Sequence, residues 1–187
     1  MTFVPTTSQT VGPYFAIGLE SLYINDLTGP GISGERIVVT GRVIDSAGQP
    51  VPDAVIETWQ ANSHGKYPDA ADIQNKPVEP GFRGFARIPT DKQGCFRLTT
   101  IKPGQTPAPE EGLQAPHLAV TIFMRGLLRH LVTRIYFADE RSNESDPVLK
   151  LVPQSRRNTL LARNAGENVY EWNIDFRQAT ETVFFGC

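Results

Sequence analysis

The chain has three imidazoles, His64, His117 and His130, on separate segments with no HExxH or HxH spacing between them. A metal site built on all three would need convergence from three different elements. Each therefore reads as a structural histidine. Two thiols, Cys95 and Cys187, stand far apart, with neither CxxC nor zinc-site spacing, and read as free cysteines. Arg125 follows the apolar run LAVTIFM at 118–124 and precedes Gly126, so its guanidinium leaves the chain where a strand gives way to a loop. A guanidinium there can hold a carboxylate through paired hydrogen bonds, or it can be a solvated strand end. The string SQTVGPYF at 8–15 concentrates small and rigid residues. Gly12 permits close backbone approach and Pro13 fixes chain direction, which suits either a wall against a neighbour or a simple turn. Trp59 and Gln60 close an apolar run, and Trp59 is expected to anchor the core.

These residues need strands to position them. RIVVTGRVID at 36–45 alternates and is rich in β-branched residues, SAGQPVPD supplies a turn, and AVIETWQ at 54–60 resumes a strand. That reads as a hairpin or a pair at a sheet edge. Further strands are expected at 94–100, 117–124, 131–137 and 168–176, and one helix at 154–163, capped by Ser155 with Leu160 and Leu161 facing inward. Residues 61–93 are polar and rich in Gly, Pro and Asn, and read as a long functional or interface loop. Residues 1–35, with Pro5, Pro13, Pro30 and five glycines, show no sustained period and read as an extended arm.

The 187 residues fit one domain, here 1–35 as the N-terminal arm and 36–187 as the folded body. With 16 Gly and 15 Pro spread along the chain, the class is all-β: a β-sandwich core with long loops and one or two short helices. Charges nearly cancel, 18 Lys+Arg against 20 Asp+Glu for a net of −2, which argues against nucleic acid and against a polybasic membrane anchor. No apolar run is long enough to span a bilayer and no secretory pattern opens the chain, so a cytoplasmic location is expected.

Several strings, taken together and in order, resemble the intradiol ring-cleavage dioxygenases: SQTVGPYF (8–15), VTGRVIDSAGQPVPDAVIETWQAN (39–62) running into GKY (65–67), FRGFARIPTDKQGCFRLTTIKPG (82–104), APH (115–117), RIYF (134–137) and ETVFF (181–185). The likeness runs from about residue 6 to residue 185. It implies a β-sandwich and a non-haem Fe(III) that serves to cleave a catechol between its two hydroxylated carbons. It also implies the two-chain form of the enzyme, in which a homologous beta chain pairs with this one in an (alpha/beta)n oligomer. The implied substrates are 3,4-dihydroxybenzoate and O2, and the implied product is 3-carboxy-cis,cis-muconate.

The family's iron is held by two Tyr and two His, the histidines two positions apart on one strand. By resemblance, Tyr67 stands at the first tyrosine position and His117 at the first histidine position. Ala119 replaces the second histidine, and 100–110, where the second tyrosine belongs, contains no Tyr. Gln114 stands where the iron-binding chain has an Arg. Two donors cannot hold Fe(III) in an open site, so the resemblance implies a chain with no metal ligands and no catalytic residue of its own, the iron belonging to the beta chain. It further implies that Thr10, Gly12, Pro13, Tyr14 and Arg125 line the substrate cavity of that partner. The rival reading is a prealbumin-like β-sandwich module without enzymatic activity, for which the strand, turn and strand at 39–55 would suffice.

Overall fold

Residues 4–186 are described by a computed structural model; Cys187, one of the two expected free thiols, lies outside them. Cys95 is a free, half-buried thiol. The strand β1, Arg36–Ile44, buries Ile37, Val39 and Val43 on one face. Its alternation breaks at Gly41, where a Cβ would collide with the Trp172 carbonyl oxygen. On one side β1 pairs antiparallel with β4, Cys95–Ile101. On the other it pairs parallel with β10, Val169–Glu171, and then β11, Ile174–Asp175.

The strand β2, Val55–Trp59, lies between β3, Phe85–Pro89, and β7, His117–Phe123, antiparallel to both. Antiparallel β8, Leu131–Phe137, follows β7. Next comes β9, Leu161–Gly166, parallel to β8 and antiparallel to β10. The result is one large mixed sheet in the order β11-β1-β10-β9-β8-β7-β2-β3, with β4 on β1. A two-stranded ribbon, β5 at Thr106–Pro107 and β6 at Leu113–Gln114, stands apart from it.

The expected hairpin is not formed: β1 and β2 share no pairing register. The turn after β1 folds back on β1 itself, with Val51 N donating to Val43 O at 3.0 Å and the Asp45 carboxylate accepting from Ala47 N and Gln49 N. The chain then crosses to the other half of the sheet, tied there by the Thr90 hydroxyl, which donates to Val51 O and accepts from Ala54 N. Alternation fixes which face of a strand is buried and leaves its neighbour open.

The expected helix at 154–163 is replaced by a 3-10 segment, Gln154–Leu160, running into β9. Pro153 stands at its N-terminal boundary without a side-chain cap, so Ser155 does not cap, while Leu160 is fully buried. Pairing of 161–166 with β8 and β10 supplies ladder hydrogen bonds that a short surface helix would forgo. The expected strand at 168–176 is split into β10 and β11, and between them the Trp172 indole donates to Thr159 O at 2.9 Å. The long loop hides β3, whose Ala86 and Ile88 are buried.

The arm is more than an arm. It contains α1, Tyr14–Gly18, and a 3-10 turn, Glu20–Leu22. Ile24 exchanges two backbone hydrogen bonds with Arg87 of β3, and Asn25 and Leu27 bond Thr99 of β4. Residues 24–27 thus bridge β3, one end of the sheet path, to β4, and the sheet is nearly closed; Leu27 is in the main core. Among the described residues no helix is long and apolar enough to cross a membrane. The second short helix, α2 at Pro147–Leu151, is capped by Asp146.

Candidate functional site

Period-two geometry sends residues two apart on a strand to the same face, so His117 and Ala119 of β7 look the same way. His117 is 3% exposed, and its Nδ1 donates to the Ala115 carbonyl at 2.7 Å, because a carbonyl oxygen can only accept. Its ring lies 5.7 Å from that of Tyr136, its cross-strand neighbour on β8. Burial first, and then the nearby Arg134 guanidinium, push the imidazole down to about 4, so it is neutral at pH 7.

Tyr67 comes from the 61–84 loop and stacks on Trp59 with ring centres 5.7 Å apart. Trp59 is half-buried and faces a cleft of about 500 Å³ that Tyr67, Ile73 and Thr106 also line, so it is no core anchor. Gln60 beside it is the buried residue, bonded to Ile101 O and to the Thr100 hydroxyl. Tyr67 N donates to Asp72, which is also ion-paired with Lys66. Against a burial effect that would raise it, hydrogen bonds from Tyr67, Gln74 and Lys66 hold the Asp72 carboxyl at about 2. Burial pushes the Tyr67 phenol up, against the pull of Arg134.

Arg134 enters both accounts, and its position explains why. In the sheet register Trp59 lies across from Ala119 and Ala119 across from Arg134, so the three make one row. The Arg134 Nη1 donates to Gln114 Oε1 at 2.6 Å and to the Tyr136 hydroxyl at 3.3 Å. Gln114 is itself held by Pro107 O, and the Tyr136 hydroxyl donates to the fully buried Asp146. Asp146 accepts from Ala115 N and Leu149 N, both at 2.7 Å. Sequence reasoning found no role for Arg134, Tyr136 or Asp146. The RIYF string at 134–137 was the available signal.

These residues do not fit a ferric ion. One phenol and one imidazole remain, Ala119 offers a methyl, and its cross-strand neighbour is a cation, Arg134. Among the described residues no three His, Cys, Asp or Glu side chains gather as a metal site. His64 is exposed on a turn, and His130 is exposed against Phe123, so neither joins His117.

The other expected residues assemble at the far end of β7. The Thr10 hydroxyl accepts from Gly126 N at 2.8 Å, which draws the arm onto the turn after β7. Gly12 O accepts from Phe15 N, and Pro13 stands at the N-terminal boundary of the short α1 without a side-chain cap. Phe15 packs on Phe123 with ring centres 5.3 Å apart, while Tyr14, 81% exposed, points outward. Gln9 and Val11 share a cavity of about 440 Å³ with Met124, Leu127, Leu128 and His130. The Arg125 side chain is 55% exposed and ion-paired with Asp53. Asp53 was not anticipated.

A family model described as Dioxygenase matches residues 13–179. The protocatechuate 3,4-dioxygenase alpha chain of Burkholderia cepacia is 42% identical, over 98% of each chain. The protocatechuate 3,4-dioxygenase beta chain of the same organism is 38% identical, over 70% of this chain and 56% of that one. Among solved structures, the dioxygenase domain of a dioxygenase and carbohydrate-binding fusion from Streptomyces sp. SirexAA-E superposes with a TM-score of 0.63 at 25% identity, covering 83% of this chain and 88% of that one. The family match over 13–179, the near full-length similarity to an alpha chain and the structural superposition agree, and the chain belongs to the intradiol ring-cleavage dioxygenase family.

Proposed function

We infer that this chain is the alpha subunit of a protocatechuate 3,4-dioxygenase. Its homologous beta chain would hold the non-haem Fe(III), and the pair would cleave 3,4-dihydroxybenzoate with O2 to 3-carboxy-cis,cis-muconate. The observation that carries this is the 42% identity to an alpha chain over nearly the full length of both proteins. In this reading the two halves of the nearly closed sheet pack as the layers of a β-sandwich, and the arm before residue 24 reaches toward the partner.

The geometry supports a division of labour. The ends of β7 are roughly 20 Å apart at about 3.4 Å per residue, so Arg125 and the arm cannot serve the degenerate positions around His117. Thr10, Gly12, Pro13, Tyr14 and Arg125 face outward together at the other end, as a wall for a site in another chain. Arg125 would orient and steer the substrate carboxylate, and the small Gly12 and rigid Pro13 would shape the cavity. No residue of this chain takes a proton from the substrate.

Metal counting on the co-purified pair tests the assignment. The expected result is one iron per pair with a visible tyrosinate band, and no iron on this chain when it is expressed alone. A stoichiometric, tightly held iron on the chain alone overturns it.

A further inference from the structure

We propose that Arg134 is a resident cation that takes the place of a metal at the degenerate ligand positions and keeps metal ions out of them. The proposal rests on the alpha-subunit reading and adds to it a reason beyond missing donors. Ala119, where a ligand would project, is the direct cross-strand neighbour of Arg134 and shares its face of the sheet. The guanidinium is fixed by two neutral acceptors, Gln114 Oε1 and the Tyr136 hydroxyl. Among the described residues no carboxylate lies within ion-pair distance of it. The buried Asp146 lies one hydrogen bond away, behind the Tyr136 hydroxyl, so the guanidinium is not neutralised by direct pairing, and its charge acts on both surviving donor positions, on Tyr67 against Asp72 and on His117 against Asp146.

A metal ion placed among these groups would meet like charge in a partly desolvated pocket, where repulsion is weakly screened. The same guanidinium does a metal's structural work, since it joins β8 through Gln114 to the β5–β6 ribbon and bonds the hydroxyl of Tyr136, whose ring packs on His117. Restoring a third donor at 119 is then insufficient unless the charge at 134 is also removed.

The test uses the alpha/beta complex and zinc(II) as the probe, with zinc and iron counted separately by elemental analysis. Tyr67, His117 and an introduced imidazole make three donors, enough for zinc with one open position. Ala119→His alone is expected to take up no zinc, and so is Ala119→His with Arg134→Lys. Ala119→His with Arg134→Met is expected to bind one zinc per pair at a concentration where Ala119→His alone binds none. Zinc uptake by Ala119→His equal to that of the double variant overturns the proposal, as does a folded double variant that binds none. Should Arg134→Met prevent folding, Arg134→Gln replaces it, and zinc uptake with Arg134 intact remains decisive by itself. Iron beyond one per pair in the unaltered complex overturns the subunit reading as well, which separates the two failures.

Discussion

At the scale of single residues, Arg125 and His117 make the sharpest claims. Arg125 has a carboxylate partner already, Asp53, so its removal has two possible costs that must be told apart. If it meets the substrate carboxylate, Arg125→Ala should cost roughly 1 to 3 kcal/mol, seen as a raised KM for 3,4-dihydroxybenzoate with little change in kcat. Catechol, which lacks the carboxylate, should respond far less. Asp53→Asn frees the guanidinium and should leave KM for the carboxylate substrate equal or lower, whereas a merely structural pair would make both variants lose alike on both substrates. His117 bears on stability. Its pKa falls from 6.5 to about 4 on folding, so below pH 6.5 the unfolded chain binds a proton that the folded chain refuses. Stability should therefore drop as pH falls from 6.5 toward 4, at up to about 1.4 kcal/mol per pH unit from this residue, and be unaffected by it above pH 6.5. His117→Gln should flatten that part of the melting profile, even with a lower melting temperature overall. An unchanged slope refutes the buried neutral imidazole.

Elements show where sequence reasoning succeeds and where it stops. The strand at 131–137 agrees with β8 in both bounds, and the expected strand at 117–124 exceeds β7 by one residue, because β-branched runs closed by Gly126 and Asp139 leave little choice. The partners of β1 are not local: β10 and β11 come from the far end of the chain, which no turn chemistry near Gly48 announces. Likewise β3 is five residues long in a loop-like composition, and pairing with β2 and with Ile24 makes it a strand. For the site, the resemblance points to Ala119 and to a Tyr-free 100–110, while RIYF at 134–137 marks a matching string without saying that its Arg134 side chain reaches Gln114 and Tyr136. The arm was misjudged in one respect, because Leu27 is buried between β3 and β4. Leu27→Ala should lower the unfolding free energy by about 2 to 4 kcal/mol in urea titration, and Ile17→Ala, on the exposed side of α1, by no more than about 0.5. Similar small effects for both would return residues 24–27 to the status of a passive tail.

For the whole molecule, exposed Tyr14, Ile17, Leu22 and Leu128 lie on the arm and beside its docking turn. Under the subunit reading proposed above, a partner is expected to cover these residues, in an obligate interface of about 2,000 Å² or more. Expressed alone, the chain should self-associate or aggregate, and with its beta chain it should sediment as one defined complex. A monodisperse stable monomer by analytical ultracentrifugation counts against this.

The parallel pairing of β1 with β10 has a consequence for timing. Val38 is held against Val169, and Arg42 N against the Asn173 side chain 131 residues away. A ribosome must therefore release almost the entire chain before β1 acquires its second neighbour, and until then that strand waits with one edge unpaired. Closing so long a loop is slow, and unpaired edges invite wrong partners. Chains stalled on the ribosome before residue 169 should remain open to protease throughout β1, and become resistant only after the last strands emerge. Any partner that docks on the completed sheet is therefore expected to meet the finished polypeptide and not its nascent form.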